Sequence, residues 1–108
     1  MEKSVFVYIM ASARNGTLYV GVMSDLARRA WEHREGMIEG FTKDHGVKLL
    51  VWNEWHPTAL EGIAREKRIK KWRRAWKIAL IEAHNSQWLD QYETLFSPVP
   101  PLVIPGDP

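Results

Sequence analysis

The sequence predicts an α+β fold in which a small, largely antiparallel sheet of three strands is flanked by helices. Two β-type runs near the N-terminus are separated by an Asn-Gly pair, which is a strong hairpin signal. The apolar pattern then gives the order strand, strand, helix, strand, helix, helix, which is typical of α+β domains. Both alternating sets of side chains in the first run are apolar or aromatic, so we expect helices on both faces of the sheet.

The first two strands are predicted over residues 4–10 and 17–23, with the turn at residues 14–16. Ser24 is the expected N-cap of a first helix that runs to about Glu35, because a serine oxygen there can accept from the exposed backbone N–H groups. Gly36 is the expected stop of that helix. The third strand is predicted over residues 48–55.

Helix is predicted from Thr58 to about His84, with a break near residues 69–72, since the apolar positions before and after it fall on different faces. A turn and a short helical piece follow over residues 85–96. The last twelve residues hold five of the six prolines and cannot be helical. We therefore divide the chain into a folded domain over residues 1–96 and a proline-rich, extended tail over residues 97–108.

Length and composition narrow the classes of protein. A chain of 108 residues with 45% hydrophobic residues is one globular domain, and we expect any active site to be a shallow groove. The absence of cysteine excludes disulfides, iron–sulfur clusters, thiolate zinc sites and a cysteine nucleophile. No segment approaches the roughly 20 apolar residues of a membrane span, so we expect a cytoplasmic protein without a membrane partner.

Positive charge is concentrated in one segment. Residues 65–77 carry eight basic residues and one acidic residue, a balance of +7 in a chain whose net charge is +2. This asymmetry predicts binding to a phosphate backbone, although a solvated helical face is an equal alternative. The candidate nucleic-acid-binding residues are Lys67, Lys70, Lys71, Arg73 and Arg74. Trp72 and Trp76 are expected to pack inward, with base stacking as the alternative.

Two pairs of residues occupy unusual positions. On the first helix, Arg29 and His33 fall on the core-facing stripe with Leu26, where a guanidinium and an imidazole are unexpected unless they reach back to water. On the hairpin, Tyr8 and Tyr19 form a cross-strand aromatic pair that, taken alone, is a core feature.

Several residues and motifs match one pattern in order. They are Phe6-Val7-Tyr8, Tyr19-Val20-Gly21, Arg29 with His33, Glu66 within Arg65-Glu66-Lys67-Arg68-Ile69-Lys70, and Asn85. In this order and spacing they resemble the GIY-YIG nuclease domain, over roughly residues 5–89. Residues 15–22, 25–29, 33–34 and 40–42 are more narrowly similar to its small stand-alone bacterial members, the excision-repair-nuclease-like UPF0213 type.

The resemblance implies a metal-dependent endonuclease that hydrolyses phosphodiester bonds of nucleic acid, DNA foremost, with low sequence specificity, in DNA repair or recombination. The implied catalytic residues are Tyr8, Tyr19, Arg29, His33, Glu66 and Asn85. Glu66 is the implied ligand of Mg²⁺, which Mn²⁺ can replace. Its rival on the same helix is Glu61, but only Glu66 has the Glu-x-x-Ile-Lys spacing.

The general base stays open between three residues. An unperturbed phenol has a pKa of about 10, so Tyr19 or Tyr8 needs positive neighbours to act as a base at neutral pH. His33, with an ordinary pKa of about 6.5, needs no such help. Tyr19 is narrowly favoured.

Two other hypotheses use parts of the same sequence. A non-catalytic nucleic-acid-binding module needs the basic segment but no metal, so it binds equally well without the Glu66 carboxylate. An interaction protein uses the proline-rich tail to recruit a protein partner, and deletion of residues 97–108 then removes that partner.

Overall fold

The computed structural model describes residues 3–37 and 45–96. The elements are β1 (Val5–Ala11), β2 (Leu18–Met23), α1 (Leu26–Arg34), β3 (Leu49–His56), α2 (Ala59–Lys71), α3 (Arg74–His84) and a 3-10 helix (Tyr92–Phe96). The predicted order of strands and helices is therefore confirmed. The proline-rich tail, residues 97–108, lies outside the described residues.

The sheet in the described part of the chain has the strand order β2-β1-β3, and both pairings are antiparallel. The β1–β2 hairpin turns where the sequence predicts, with Asn15 in the left-handed region at φ 59°. The N–H of Gly16 donates to the carbonyl oxygen of Ala13 at 2.9 Å and closes this turn. Because β1 is the central strand, its side chains lie in the middle of both faces of the sheet.

The helix ends follow local chemistry, with one correction. The N-cap of α1 is Asp25 and not Ser24, because the Asp25 carboxylate accepts a hydrogen bond from the N–H of Arg28 at 3.2 Å. Gly36 ends this helix as predicted, at φ 68°. The predicted break also lies in place, since Trp72 has an extended backbone between α2 and α3. Among the helices of residues 3–37 and 45–96, none has the length and hydropathy that a bilayer crossing requires.

Two hydrophobic clusters cover the two faces of the sheet. Val7 and Ile9 of β1 pack with Ile69 of α2 and Ile81 of α3 on one face. The other side chains of β1 point to the opposite face, where they pack with α1 and the 3-10 helix. The buried residues of this second cluster are Tyr8, Met10, Leu26, Ala30, Val47 and Leu50. The prediction that both faces are covered is confirmed. This arrangement presents Tyr8 of the sheet to the inner side of α1.

Candidate active site

Three rings from three elements form an aromatic cluster, which we define as Tyr8 of β1, Tyr19 of β2 and His33 of α1. The ring centroids of Tyr8 and Tyr19 are 6.2 Å apart. The His33 ring is 6.1 Å from that of Tyr8 and 5.4 Å from that of Tyr19. The structure thus brings together both tyrosines and the histidine that the sequence singles out.

Gly21 makes room for this cluster. It is the direct partner of Tyr8 in the β1–β2 register. A Cβ atom on Gly21 would lie only 2.5 Å from the Tyr8 hydroxyl oxygen and 2.6 Å from its Cζ. The Tyr8 ring therefore lies against β2 at a point where any side chain larger than hydrogen would displace it.

The environment of Tyr8 holds its hydroxyl in the protonated form. Burial is the main reason that the pKa of Tyr8 is raised far above its usual value, and the neighbouring Tyr19 adds to this effect. Arg29 lowers the pKa of Tyr8 and Glu66 raises it. A charge on α1, that of Arg29, and a charge on α2, that of Glu66, therefore both shift the pKa of Tyr8.

His33 is buried and neutral. Burial and then the positive charge of Arg29 lower the pKa of His33 from 6.5 to about 4, with Glu32 opposing the shift. Only 3% of the residue is exposed, and neither ring nitrogen has a hydrogen-bond partner in the described structure. Buried polar atoms are seldom left without a hydrogen-bond partner. The unpaired ring nitrogens therefore indicate that His33 accepts a proton or that it binds a group that arrives with the substrate.

Arg29 lies at the edge of the cluster with its guanidinium only loosely engaged. Its Nη2 approaches the sulfur of Met23 at 3.9 Å, and its Nε is 3.9 Å from a carboxylate oxygen of Glu32. About a third of the side chain is exposed, at 32%. Its fixed fork of donors is therefore available to a phosphate group.

Glu66 presents one carboxylate from α2. Its side chain is only 14% exposed, and its Oε1 is 3.2 Å from the Lys70 Nζ one turn later. No group of three or more histidine, aspartate and glutamate side chains within the described residues can hold a metal ion. A single carboxylate is a donor that Mg²⁺ accepts while it keeps most of its waters.

A cleft of about 400 Å³ adjoins Arg29 at the end of β2. Lys3 and Arg28 line it together with Arg29, and neither was predicted from the sequence to belong to the site. The adjacency of Arg28 to Arg29 is the signal that was available. A second, apolar cavity of about 300 Å³ shares Lys3 with this cleft and extends to Ile63, which precedes Glu66 by one turn of α2. The surface is thus continuous from α1 to α2.

Asn85 has a different position from the other candidate residues. Its Nδ2 donates to the carbonyl oxygens of Val51 at 3.0 Å and Leu89 at 2.8 Å. Its Oδ1 accepts from the N–H of Leu89 at 3.0 Å. These bonds fasten the end of α3 to β3, and in the described part of the chain none of them joins Asn85 to the aromatic cluster. A catalytic role for Asn85 remains a prediction.

The basic side chains of residues 65–77, the basic segment, differ in what they contact. Lys67 and Lys71 are exposed, whereas Lys70 pairs with Glu66. The Arg74 Nη2 donates to the carbonyl oxygens of the hairpin turn, Asn15 at 2.7 Å and Gly16 at 2.6 Å. Arg74 therefore fastens the start of α3 to the β1–β2 turn, which the sequence did not predict.

The two tryptophans of this segment differ in burial. Trp72 is half-buried against the core, but Trp76 is 53% exposed. Their rings meet edge to face with centroids 6.2 Å apart. The expectation of inward packing therefore holds for Trp72 and is wrong for Trp76, because α3 turns its apolar side to the sheet through Ile78 and Ile81 instead.

Comparison with known families defines the class of protein. The sequence model of the family described as the GIY-YIG catalytic domain matches residues 4–79, which is most of the chain. This span includes the aromatic cluster, Arg29 and Glu66. The chain therefore belongs to the GIY-YIG domain family, whose members are generally nucleases.

Within this family the chain is similar to UPF0213 proteins. It is 35% identical over 79 residues to the UPF0213 protein of Staphylococcus aureus strain Mu3, covering 73% of this chain and 95% of that protein, and UPF0213 protein SAV0488 of strain Mu50 gives the same values. A solved structure, the solution NMR structure of UPF0213 protein BH0048 from Bacillus halodurans, superimposes with a TM-score of 0.51 and 25% identity. That match covers 89% of this chain and 99% of the other.

Proposed function

We propose that this protein is a metal-dependent endonuclease that hydrolyses phosphodiester bonds of nucleic acid, DNA foremost, with low sequence specificity. The observation that carries the proposal is that Arg29 and Glu66, which have opposite charges, both lie close enough to the aromatic cluster to shift the pKa of Tyr8. A neutral imidazole, a loosely engaged guanidinium and a partly buried carboxylate, grouped around Tyr8, are suited to attack on a phosphate diester by water.

Glu66 is the proposed protein ligand of Mg²⁺, or of Mn²⁺ in its place. When bound, the cation supplies charge stabilisation to the phosphate oxygens and to the leaving 3′-oxygen. Arg29 binds a non-bridging oxygen of the same phosphate through its forked donors. Lys70, whose Nζ lies 3.2 Å from the Glu66 Oε1, forms an ion pair with this carboxylate. The products are a 5′-phosphate and a 3′-hydroxyl.

The proton of the attacking water needs an acceptor, and the three candidates differ. The raised pKa of the buried Tyr8 keeps its hydroxyl protonated at neutral pH, which disfavours it as the acceptor. Tyr19 is only half-buried, so water can reach part of this side chain. We propose that Tyr19 Oη takes the proton from water as it passes its own proton to a ring nitrogen of His33. His33 is neutral at pH 7, so a ring nitrogen has a lone pair for the proton, and the negative charge of the bound phosphate would offset the burial that lowers its pKa.

Binding of the substrate is assigned to the basic segment. Lys67, Lys70, Lys71, Arg73 and Arg74 offer charge to backbone phosphates, and such contacts position a strand without identifying its bases. This favours an enzyme that selects substrates by structure, with DNA repair or recombination in the cytoplasm as the proposed setting.

The proposal is tested by incubating the full chain with labelled linear, branched and single-stranded DNA in Mg²⁺, Mn²⁺ or EDTA. We expect cleavage with either metal and none in EDTA. Glu66→Ala and Arg29→Ala should both abolish cleavage, because each removes stabilisation of the negative charge on the phosphate. Glu61→Ala is the matched control, since Glu61 is an exposed carboxylate on the same helix and should be dispensable.

Two results contradict the proposal. Intact DNA under every condition, with salt-sensitive binding that is equal in wild type and Glu66→Ala, indicates a non-catalytic nucleic-acid-binding module. Cleavage that persists in EDTA and in Glu66→Ala indicates a reaction that needs neither the carboxylate nor the metal.

A further inference from the structure

A groove with aromatic walls lies on the outer side of α3. It has a volume of about 390 Å³ and is lined by Trp72, Trp76, Ala79 and Leu80. Ala79 and the Trp76 ring both face solvent here. None of these side chains belongs to the aromatic cluster or to the cleft beside Arg29, so the groove is a separate surface feature.

Cations border both tryptophan rings. The guanidinium carbon of Arg73 lies 5.0 Å from the centre of the Trp76 ring, and that of Arg65 lies 5.4 Å from the centre of the Trp72 ring. Lys77 and Lys70 lie nearby, with the Lys77 Nζ 3.4 Å from the Lys70 carbonyl oxygen. The groove is therefore apolar in its walls and positive at its rim, which matches the chemistry of a base carried on a phosphate backbone.

The groove is also close to the proposed site of cleavage along the chain. Trp72 follows Glu66 by six residues, which is about 9 Å along the axis of α2. Successive phosphates of one strand are about 3.4 Å apart along a duplex axis, so a segment of a few nucleotides spans this distance. Because six residues also turn the helix by about 240°, a strand that contacts both follows the surface around α2.

We propose that Trp72 and Trp76, named here the stacking platform, bind an unpaired base of the nucleic acid, with Trp76 as the main contact. The proposal rests on the proposed function in its choice of ligand, and it adds a preference for substrates with an unpaired nucleotide. A paired base within a duplex cannot reach the platform, because its two faces are already stacked on its neighbours.

Binding of labelled DNA by fluorescence anisotropy in EDTA tests the platform without any cleavage. The probes are a short oligothymidylate, a strand of the same length made of abasic sites, and a blunt duplex. We expect Trp76→Ala to weaken binding of the oligothymidylate about tenfold, the effect of losing one stacked base. The abasic strand and the duplex should bind wild type and Trp76→Ala with affinities within about twofold of each other.

Two further variants serve as controls. Trp76→Phe retains a ring and should bind the oligothymidylate almost as wild type does. Trp31→Ala removes a tryptophan that is 43% exposed on α1, on the other face of the sheet, and should bind all three probes unchanged.

The proposal is overturned if Trp76→Ala leaves oligothymidylate binding unchanged, or if it weakens the abasic strand equally. It is also overturned if wild type sediments as a dimer that Trp76→Ala converts to a monomer, since a second copy then covers the groove. These outcomes are independent of catalysis. A chain that cleaves nothing in Mg²⁺ but shows the expected base-dependent loss contradicts the nuclease proposal and leaves the platform intact.

Discussion

The buried imidazole of His33 makes stability depend on pH. Its pKa is about 4 in the folded protein and about 6.5 in the unfolded chain, so the unfolded chain binds a proton first as the pH falls. His33 is neutral in both states well above pH 6.5, and the folded state loses stability as the pH falls from about 6.5 to about 4. We expect His33 to account for a loss of about 2 kcal/mol between pH 7.5 and pH 5.

Urea unfolding at these two pH values measures this loss. Other groups also titrate, so the informative quantity is the difference between wild type and His33→Gln. The variant should lose about 2 kcal/mol less than wild type over this interval. Equal losses in both proteins would mean that His33 is protonated as easily when folded as when unfolded.

The close contact between Gly21 and Tyr8 gives a prediction about catalysis. The methyl group of Gly21→Ala would overlap the Tyr8 ring, which must then move away from β2. Forced rearrangements of this kind cost about 1–3 kcal/mol. We expect lower stability in urea and cleavage at least about tenfold slower than wild type, with DNA affinity nearly unchanged. A variant as active as wild type would show that the position of Tyr8 is unimportant.

At the scale of single residues, part of the site could be predicted from the sequence. The inward direction of His33 followed from the helical period, which needs no tertiary information. The hydrogen bonds of Asn85 could not be predicted, since they depend on where β3 lies relative to the end of α3. The cap was misplaced by one residue because Ser24 and Asp25 are both good N-cap residues, and only the backbone geometry separates them.

At the scale of elements, the contact between α3 and the β1–β2 turn is a test of how the basic segment is used. Arg74 donates to two carbonyl oxygens of the turn, so Arg74→Ala leaves these acceptors to water and frees the start of α3. We expect the free energy of unfolding to fall by about 1 kcal/mol. Urea unfolding measures it, with Lys71→Ala as the exposed control whose stability should not change. Equal stability of both variants would contradict a structural role for Arg74.

The connection between α2 and α3 shows both the success and the limit of sequence patterns. The change of apolar face near Ile69 predicted the break, and α2 does end at Lys71. The exposure of Trp76 was missed because a tryptophan beside apolar residues looks like core. Its neighbours Ile78 and Ile81 fill the available contact with the sheet, which only the packed structure reveals.

For the whole molecule, the charge asymmetry predicts how binding responds to salt. Each phosphate contact that is lost should reduce the slope of log affinity against log salt concentration by about one. We expect this reduction for Lys67→Ala and Lys71→Ala, whose side chains are exposed. Lys48→Ala removes an exposed lysine outside the basic segment and should leave the slope unchanged. Anisotropy titrations of labelled DNA over a range of salt concentrations measure it, and equal slopes for all three variants would contradict the assigned surface.

The fold as a whole was predictable because its signals agree with one another. The Asn-Gly turn, the apolar character of both faces of β1 and the helical periods all require the same layered arrangement. What the sequence could not give is the cleft beside Arg29, since Lys3 and Arg28 are distant in sequence and meet only when β1 and α1 pack.

The central claim is that the Glu66 carboxylate acts in catalysis from the same site as Arg29 and the aromatic cluster. The most direct test is the single-turnover rate of cleavage of a labelled DNA at saturating enzyme in Mg²⁺, for wild type and Glu66→Gln. We predict a rate lower by at least about a thousandfold in the variant, with DNA affinity in EDTA unchanged or slightly higher. A Glu66→Gln enzyme that cleaves as fast as wild type would contradict the claim.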